Sequence, residues 1–317
     1  MDKIDETDRA TPATEGPAGR DRARAATRSF EESAARLLAP LSRLPWWAKP
    51  LRSLVIPAIF IGLGVGARLV APAPLPVAVA VCAAVTAAAM MLVCRGSSRQ
   101  MRDVDWSTAD PYWNEGAHQV PVGHREVLAQ AISRKRARYP AVSGIHPYLL
   151  PCPASVEDGS CDHLPCTYIG MVRVAAGHCV VVVGRRAFHM SRQAFEGVVW
   201  HEMRHHTGVM RGYGVMQVAL GIAGWFAVGY LTFGWPSAIM LWLALAAIAW
   251  IHEVICDTSA GRAAGADAIC RALAWKAAAL RATPLLPRLG HLLTEALAPT
   301  HPPSWMRSLV ARALVRR

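Results

Sequence analysis

The chain has 317 residues, a formal net charge of +12 and a hydrophobic content of 53%. Only 18% of its residues are charged and its mean hydropathy is positive, a combination that is unusual for a soluble domain of this size and implies a bilayer. The basic residues flank apolar segments and accompany no nucleic-acid recognition motif, so we expect them to contact anionic lipid headgroups and expect no nucleic-acid partner.

The first 30 residues are polar and lack apolar periodicity, which predicts a disordered cytoplasmic tail over 1–30. No apolar core of a signal peptide lies near the start, so we expect the first membrane helix to act as the targeting signal. An interfacial segment is predicted over 31–52. Its apolar residues recur at roughly helical intervals, as in either a short interfacial helix or an ordinary packing helix.

Four apolar stretches each approach the ~20 residues that cross a hydrocarbon core of roughly 30 Å. They pair into two predicted transmembrane hairpins, 53–94 and 213–252, and an uncharged turn joins the two stretches of each pair. The predicted spans are 53–70, 75–94, 214–233 and 236–252.

Arg and Lys residues cluster before the first span, between the hairpins and after the last span. The positive-inside rule therefore predicts a multi-pass protein of the cell membrane whose termini and catalytic domain face the cytoplasm. Arg68 is the exception, because it lies near the outer end of the first span. We expect it to snorkel to the interface or to face the bundle interior.

The region between the hairpins, 95–212, is predicted to be the first part of a catalytic domain. A polar linker over 95–125 leads into a helix that begins near His124, and one face of this helix carries Val127, Leu128, Ala131 and Ile132. Residues 167–183 contain β-branched runs broken by Ala-Gly, which predicts a strand, a turn and a second strand. A further helix follows from about Ser191, a candidate N-cap.

That helix contains the sequence HEMRH, which places His201 and His205 four residues apart on one face, where both can bind one zinc ion. We expect Glu202 to act as general base on water whose pKa the metal has lowered. The alternative interpretation is two surface histidines beside a helical salt-bridge residue. His206 is turned by about 100° along the helix and is expected to leave the metal face.

A catalytic zinc commonly has three protein ligands, so a third donor is expected elsewhere in the chain. The second part of the predicted catalytic domain, 253–317, begins with EVICD, in which Glu253 and Asp257 lie one helical turn apart. We predict that Glu253 binds zinc and that Asp257 supports the ligands. His252 is the competing candidate for third ligand.

The order of these elements resembles that of the integral-membrane zinc metallopeptidases typified by the heat-shock protease HtpX and the CAAX prenyl proteases. In that family a membrane hairpin separates a H-E-x-x-H helix from an E-x-x-x-D helix. This chain has HEMRH, a predicted hairpin and then EVICD, and its segment THPPSWMR resembles the family's His-Pro segment. The resemblance extends from the first span to the C-terminus and leaves out the first 30 residues.

The resemblance implies a mainly α-helical membrane protein with four transmembrane helices and a cytoplasmic zincin-like α+β catalytic domain. It also implies that His301 stabilises the oxyanion of the tetrahedral intermediate and that Arg307 pairs with Asp257. Without the resemblance, His301 is a loop residue. The Asn-Ala segment that relatives often carry is absent, so no substrate-binding Asn is transferred. An edge strand within 167–183 would still align a peptide by β-augmentation.

Seven of the eight cysteines of the chain fall into two groups. Four are expected to be small apolar residues in helices: Cys82, Cys94, Cys256 and Cys270. A second, structural metal site is an open alternative for Cys152, Cys161, Cys166 and His163, although their spacing lacks a C-x-x-C pair. Reduced thiols are the default in a cytoplasmic domain.

The combined expectation is a membrane-bound zinc metalloendopeptidase that hydrolyses peptide or membrane-protein substrates without a covalent intermediate, in membrane-protein quality control. The sequence specifies neither the substrate nor the oligomeric state. Three alternatives remain: a sensor metallopeptidase with a single target, a non-catalytic zinc-binding membrane scaffold, and a basic lipid- or nucleic-acid-binding protein. A metal site embedded in the bilayer is disfavoured, because HEMRHH lies among charged residues before the third predicted span.

Overall fold

The computed structural model describes residues 48–70, 72–100, 121–138, 144–150, 169–175, 178–205, 208–232, 234–297 and 301–315. The predicted tail over 1–30 lies outside these residues, and so does the predicted interfacial segment up to residue 47. Within the described ranges the protein is mostly helical and contains a three-stranded sheet.

The helices, in chain order, are α1 (Ala48–Val70), α2 (Leu75–Gln100), α3 (Val122–Arg138), α4 (Arg192–His205), α5 (Gly208–Tyr230), α6 (Trp235–Ala264), α7 (Ala266–Ala282), α8 (Leu285–Leu297) and α9 (Ser304–Val315). The strands are β1 (Gly144–Leu150), β2 (Ile169–Ala175) and β3 (His178–Gly184), and a 3-10 turn over Arg185–His189 follows β3.

Two of the described helices are long and apolar enough to cross a membrane: Ser53–Val70 within α1, and α6. Only 6% of the first and 22% of the second is buried inside the protein, so their apolar side chains face outward, unlike those of a soluble core helix. The other two predicted spans correspond to shorter apolar stretches, Leu75–Ala88 and Met216–Tyr230. The structure therefore supports two of the four predicted spans by length and composition.

The helices α1 and α5 pack so closely that their backbones touch. A Cβ atom on Gly64 would collide with the Phe226 carbonyl oxygen, and one on Gly229 would collide with the Ile61 carbonyl oxygen. Small residues allow this approach, which is a common way to pack helices in a membrane. The glycines therefore allow the backbones of α1 and α5 to come into contact.

Hydrogen bonds connect the same two helices at their far ends. The Arg68 guanidinium donates to the Tyr230 carbonyl oxygen at 3.2 Å and to Thr232 Oγ1 at 3.1 Å. The Tyr230 hydroxyl donates to the Ala73 carbonyl oxygen and accepts from the Ala73 N–H at 2.9 Å. Arg68 thus reaches across to the end of α5, where its charge is solvated by acceptors of the neighbouring helix.

The sheet has the strand order β1-β3-β2. β2 and β3 pair antiparallel, which confirms the predicted strand, turn and strand over 167–183. β1 pairs parallel with β3 and was not predicted from the sequence. The order leaves β2 at an edge of the sheet, in contact with α4.

The core of the part that contains the sheet forms around α4. Phe195 and Val199 are at most 1% exposed and pack against Val127 and Leu128 of α3 and against β3. Val127 and Leu128 belong to the helical face that the periodicity near His124 predicted, and this face lies in the core. Each large apolar side chain buried there contributes about 1.5–3 kcal/mol. This packing determines which face of α4 is left to contribute side chains to the candidate site.

The helix α6 continues without a break from Trp235 to Ala264. The predicted boundary between the second hairpin and the second part of the catalytic domain, at 252 and 253, therefore falls inside one rigid helix. Gly265, with a φ of 92°, turns the chain into α7. The Glu253 and Asp257 side chains are consequently held by the same helix that is apolar enough to span a membrane.

Candidate metal centre

His201 and His205 reach the site because α4 is held at one rotation about its own axis. The backbone N–H of Ala194 donates to Ser191 Oγ at 3.3 Å, which confirms Ser191 as the N-cap. Further along, a Cβ atom on Gly197 would lie 2.9 Å from the Ala268 carbonyl carbon, so the missing side chain lets α4 rest on the first turn of α7. The cap and this contact determine where the two histidines lie.

The two histidines and Glu253 converge. His201 Nε2 and His205 Nε2 are 3.0 Å apart. Glu253, from α6, places Oε2 at 3.4 Å from His201 Nε2 and Oε1 at 3.3 Å from His205 Nε2. The structure thus brings Glu253 onto both imidazoles, as the sequence predicted, and these donor atoms all lie within 4.8 Å of one another.

These separations fit a tetrahedral metal ion. Two zinc bonds of about 2.0–2.1 Å at the tetrahedral angle place their donor atoms roughly 3.3 Å apart. The observed separations of 3.0, 3.4 and 3.3 Å match this value, although Glu253 offers a different oxygen to each imidazole. Glu253 Oε2 is also buried, and the Arg307 guanidinium approaches it, with Nη2 at 3.3 Å. The donor set therefore fits a buried divalent ion.

Behind the three donors, Asp257 and Arg307 form a buried ionic chain. His201 Nδ1 is 2.8 Å from Asp257 Oδ1, and Arg307 Nε and Nη2 each donate to an Asp257 oxygen at 2.7 Å. Arg307 Nη2 is also 3.3 Å from Glu253 Oε2. The predicted contact between Arg307 and Asp257 is confirmed, and it is a bidentate pair. Such pairs behind a histidine ligand orient its ring and fix its tautomer.

The ionic chain changes the pKa values of the groups on α4 and α9. Burial lowers the pKa of His201, but its hydrogen bonds with Asp257 and Glu253 outweigh burial and raise the pKa to about 9. Burial likewise lowers the pKa of Arg307, and the hydrogen bonds with Asp257 outweigh it, so that the pKa is raised. A metal ion at His201 Nε2 would therefore displace a proton from this ring.

Glu202 follows His201 on α4 and is only partly buried, so that its carboxylate is accessible from solvent. Its charge contributes to raising the pKa of Arg307, which shows that it lies within electrostatic reach of the site. A partly exposed carboxylate that is next in sequence to a candidate ligand is suited to accept a proton from a bound water.

His301 lies at the open side of the cluster. Its Nε2 is 3.6 Å from Glu253 Oε1, and its side chain is 36% exposed. Its Nδ1 is 3.5 Å from Glu295 Oε1 on α8. Burial raises the pKa of Glu295, but the hydrogen bond with His301 outweighs burial and lowers it. Sequence reasoning missed Glu295, and the only signal for it was an acidic residue six positions before His301.

A second group of donor atoms lies beside the first and shares His205. His205 Nδ1 is 3.6 Å from Cys256 Sγ, and His252 stacks edge-on with a ring separation of 4.7 Å from His205. His205, His252 and Cys256 also have donor atoms within 4.8 Å of one another. A metal ion in the first group would bind Nε2 of His205. A second metal ion would then have to bind Nδ1 of the same ring, which would have to lose its proton. His252 thus belongs to this second group and is not among the three donors that converge in the first.

Cys256 was predicted to be a small apolar helix residue, and it is fully buried as a free thiol. The prediction did not include its contact with His205, whose Nδ1 lies 3.6 Å from the sulfur. The cysteines predicted as an alternative metal site, Cys152, Cys161 and Cys166, lie outside the described residues together with His163 and His206.

The chain was compared with protein-family models, curated proteins and solved structures, and no match was found in any of the three comparisons.

Proposed function

We propose that the chain is a membrane-bound zinc metalloendopeptidase. The observation that carries this proposal is the convergence of His201, His205 and Glu253 at the mutual separations of tetrahedral ligands, with Glu202 one residue from the first ligand. Two imidazoles and one carboxylate are a common donor set of catalytic zinc sites, which keep a position open for water or substrate.

In this proposal each residue of the cluster has a separate task. Zinc would supply a Lewis acid that lowers the pKa of water towards neutrality and polarises the scissile carbonyl. Glu202 accepts the proton of the attacking water and passes it to the leaving amine. His301, on the open side, donates a hydrogen bond to the developing oxyanion. Asp257 and Arg307 hold His201 in its ligating orientation.

The proposed setting is the cell membrane, with several spans and the catalytic part on the cytoplasmic side. The outward-facing apolar surfaces of α1 and α6 support it, and so does the distribution of Arg and Lys along the chain. Because α6 extends from the span into the site, substrates are proposed to be membrane proteins or segments close to the bilayer. This fits a role in membrane-protein quality control.

The test is hydrolysis of casein, together with self-cleavage, by detergent-purified protein reconstituted with zinc. A Glu202→Gln variant with matched zinc content is the control, because the substitution removes the base and keeps the ligands. We expect the wild type to cleave and the variant to lose activity. If both proteins bind zinc and neither cleaves, a sensor with a single target or a non-catalytic scaffold replaces the proposal.

A further inference from the structure

The helix α8 has an apolar face that no described part of the chain covers. Leu289 and Leu292 are 48% and 50% exposed, and they belong to a row with helical spacing. The row consists of Leu285, Leu286, Leu289, Leu292 and Leu293. The opposite face carries Glu295, which contacts His301, and the buried Gly290. The helix therefore turns its polar side to the candidate site and its leucines outward.

The position of α8 along α6 indicates what covers these leucines. The Trp242 indole N–H donates to the Leu297 carbonyl oxygen at 2.9 Å, which ties the last residue of α8 to α6. Trp242 precedes Glu253 by 11 residues, about 16 Å along the helix axis at 1.5 Å per residue. The end of α8 thus lies beside the apolar part of α6, although Glu295, two residues earlier, still contacts His301. α8 also contacts α1, the other helix that is apolar enough to span a membrane.

The polar groups of α8 are arranged as lipid contact requires. The Thr294 hydroxyl donates to the Gly290 carbonyl oxygen at 2.8 Å, so it has a partner within the helix. At the start of the helix, the Arg288 guanidinium donates to the Arg281 carbonyl oxygen at 3.3 Å, and Arg281 is itself exposed. Two cationic side chains therefore stand where the leucine row begins, in a position to pair with lipid phosphates.

We infer that α8 is a membrane-inserted helix, whose leucine row contacts acyl chains and whose first turn lies among anionic headgroups. Its apolar face continues the outward-facing surfaces of α1 and α6, because α8 is in contact with both helices. An amphipathic helix of this kind lies in the interface with its apolar face about 5–10 Å deep. Only the thickness of this helix, about 10 Å, then separates Glu295 and His301 from lipid.

The experiment is site-specific photo-crosslinking of the full chain in vesicles that contain an anionic phospholipid. The probe, p-benzoylphenylalanine, replaces Leu289 in the Glu202→Gln background, so that the result does not depend on peptidase activity. The reference position is Leu63, which is 53% exposed on the apolar surface of α1. The water-facing control is Gln193, an exposed residue that lies beside Gly265 at the opposite end of α6 from Trp235.

We expect lipid adducts when the probe is at Leu289 or Leu63 and no lipid adduct when it is at Gln193. A lipid adduct at Leu63 without one at Leu289 would overturn the inference for α8 alone. Adducts between two protein chains at Leu289 would also overturn it, because a second copy would then cover the leucines. Absence of lipid adducts at both Leu289 and Leu63 would refute the membrane location itself.

Discussion

Removal of the Arg307 guanidinium tests whether the buried ionic chain supports the metal centre. Arg307→Met keeps a flexible side chain but deletes the bidentate contact with Asp257 at 2.7 Å and the contact with Glu253 at 3.3 Å. Both acidic side chains are at most 7% exposed, so their charges would remain buried without this partner. Breaking a buried ion pair by removing one partner costs about 3–5 kcal/mol.

The variant is expected to weaken zinc binding by about 10–100-fold, the usual effect of losing a group that orients a ligand. It is also expected to unfold at a lower temperature in detergent. Zinc affinity is measured by competition with a chelator, and unfolding is followed with and without zinc. Arg312→Met is the matched control, because Arg312 lies on the same helix and is exposed. If Arg307→Met matched Arg312→Met in both measurements, the supporting role of this ionic chain would be wrong.

Two further predictions concern pH and the oxyanion. The pKa of His201, raised from 6.5 to about 9, stabilises the metal-free fold below pH 6.5, and this stability is lost as the pH rises through 9. Zinc affinity should change in the opposite direction and fall about tenfold per unit below pH 9, because one proton is displaced. A chelator titration across this range that showed a flat affinity would contradict the assignment. His301→Ala is expected to lower kcat by about 10²–10³-fold with unchanged zinc affinity, and His189→Ala, at an exposed position, to change neither. Equal activity of the two variants would exclude His301 as the oxyanion donor.

Local periodicity was sufficient for much of the helical part. Ser191 as N-cap, the buried face of α3 with Val127 and Leu128, and the strand pair within 167–183 all depend on neighbouring residues. The spacing of His201 and His205 belongs to the same class, since any helix places residues four apart on one face. These features could be read from the sequence because their geometry is set within a few residues.

Contacts between distant segments could not be derived in this way. β1 pairs with β3 although residues 151–177 separate the two strands in the sequence, and this pairing depends on where the chain returns. Glu295 contacts His301 because α8 lies beside the His301 segment, and Cys256 contacts His205 because α6 packs beside α4. Neither residue carries a motif of its own. The continuous α6 likewise differs from the predicted boundary at 252, because hydropathy ends before the helix does.

The sequence by itself determined that a helix would offer two imidazoles and that an acidic pair would follow an apolar stretch. Tertiary structure decided which acidic or imidazole group reaches them. His252 and Glu253 are neighbours on α6 and are separated by about 100° of rotation, so the packing of α6 against α4 selects between them. That packing turns Glu253 toward both Nε2 atoms and places His252 in the second group, with His205 and Cys256. The rotation of one helix against another is a property of the assembled core, which no local pattern encodes.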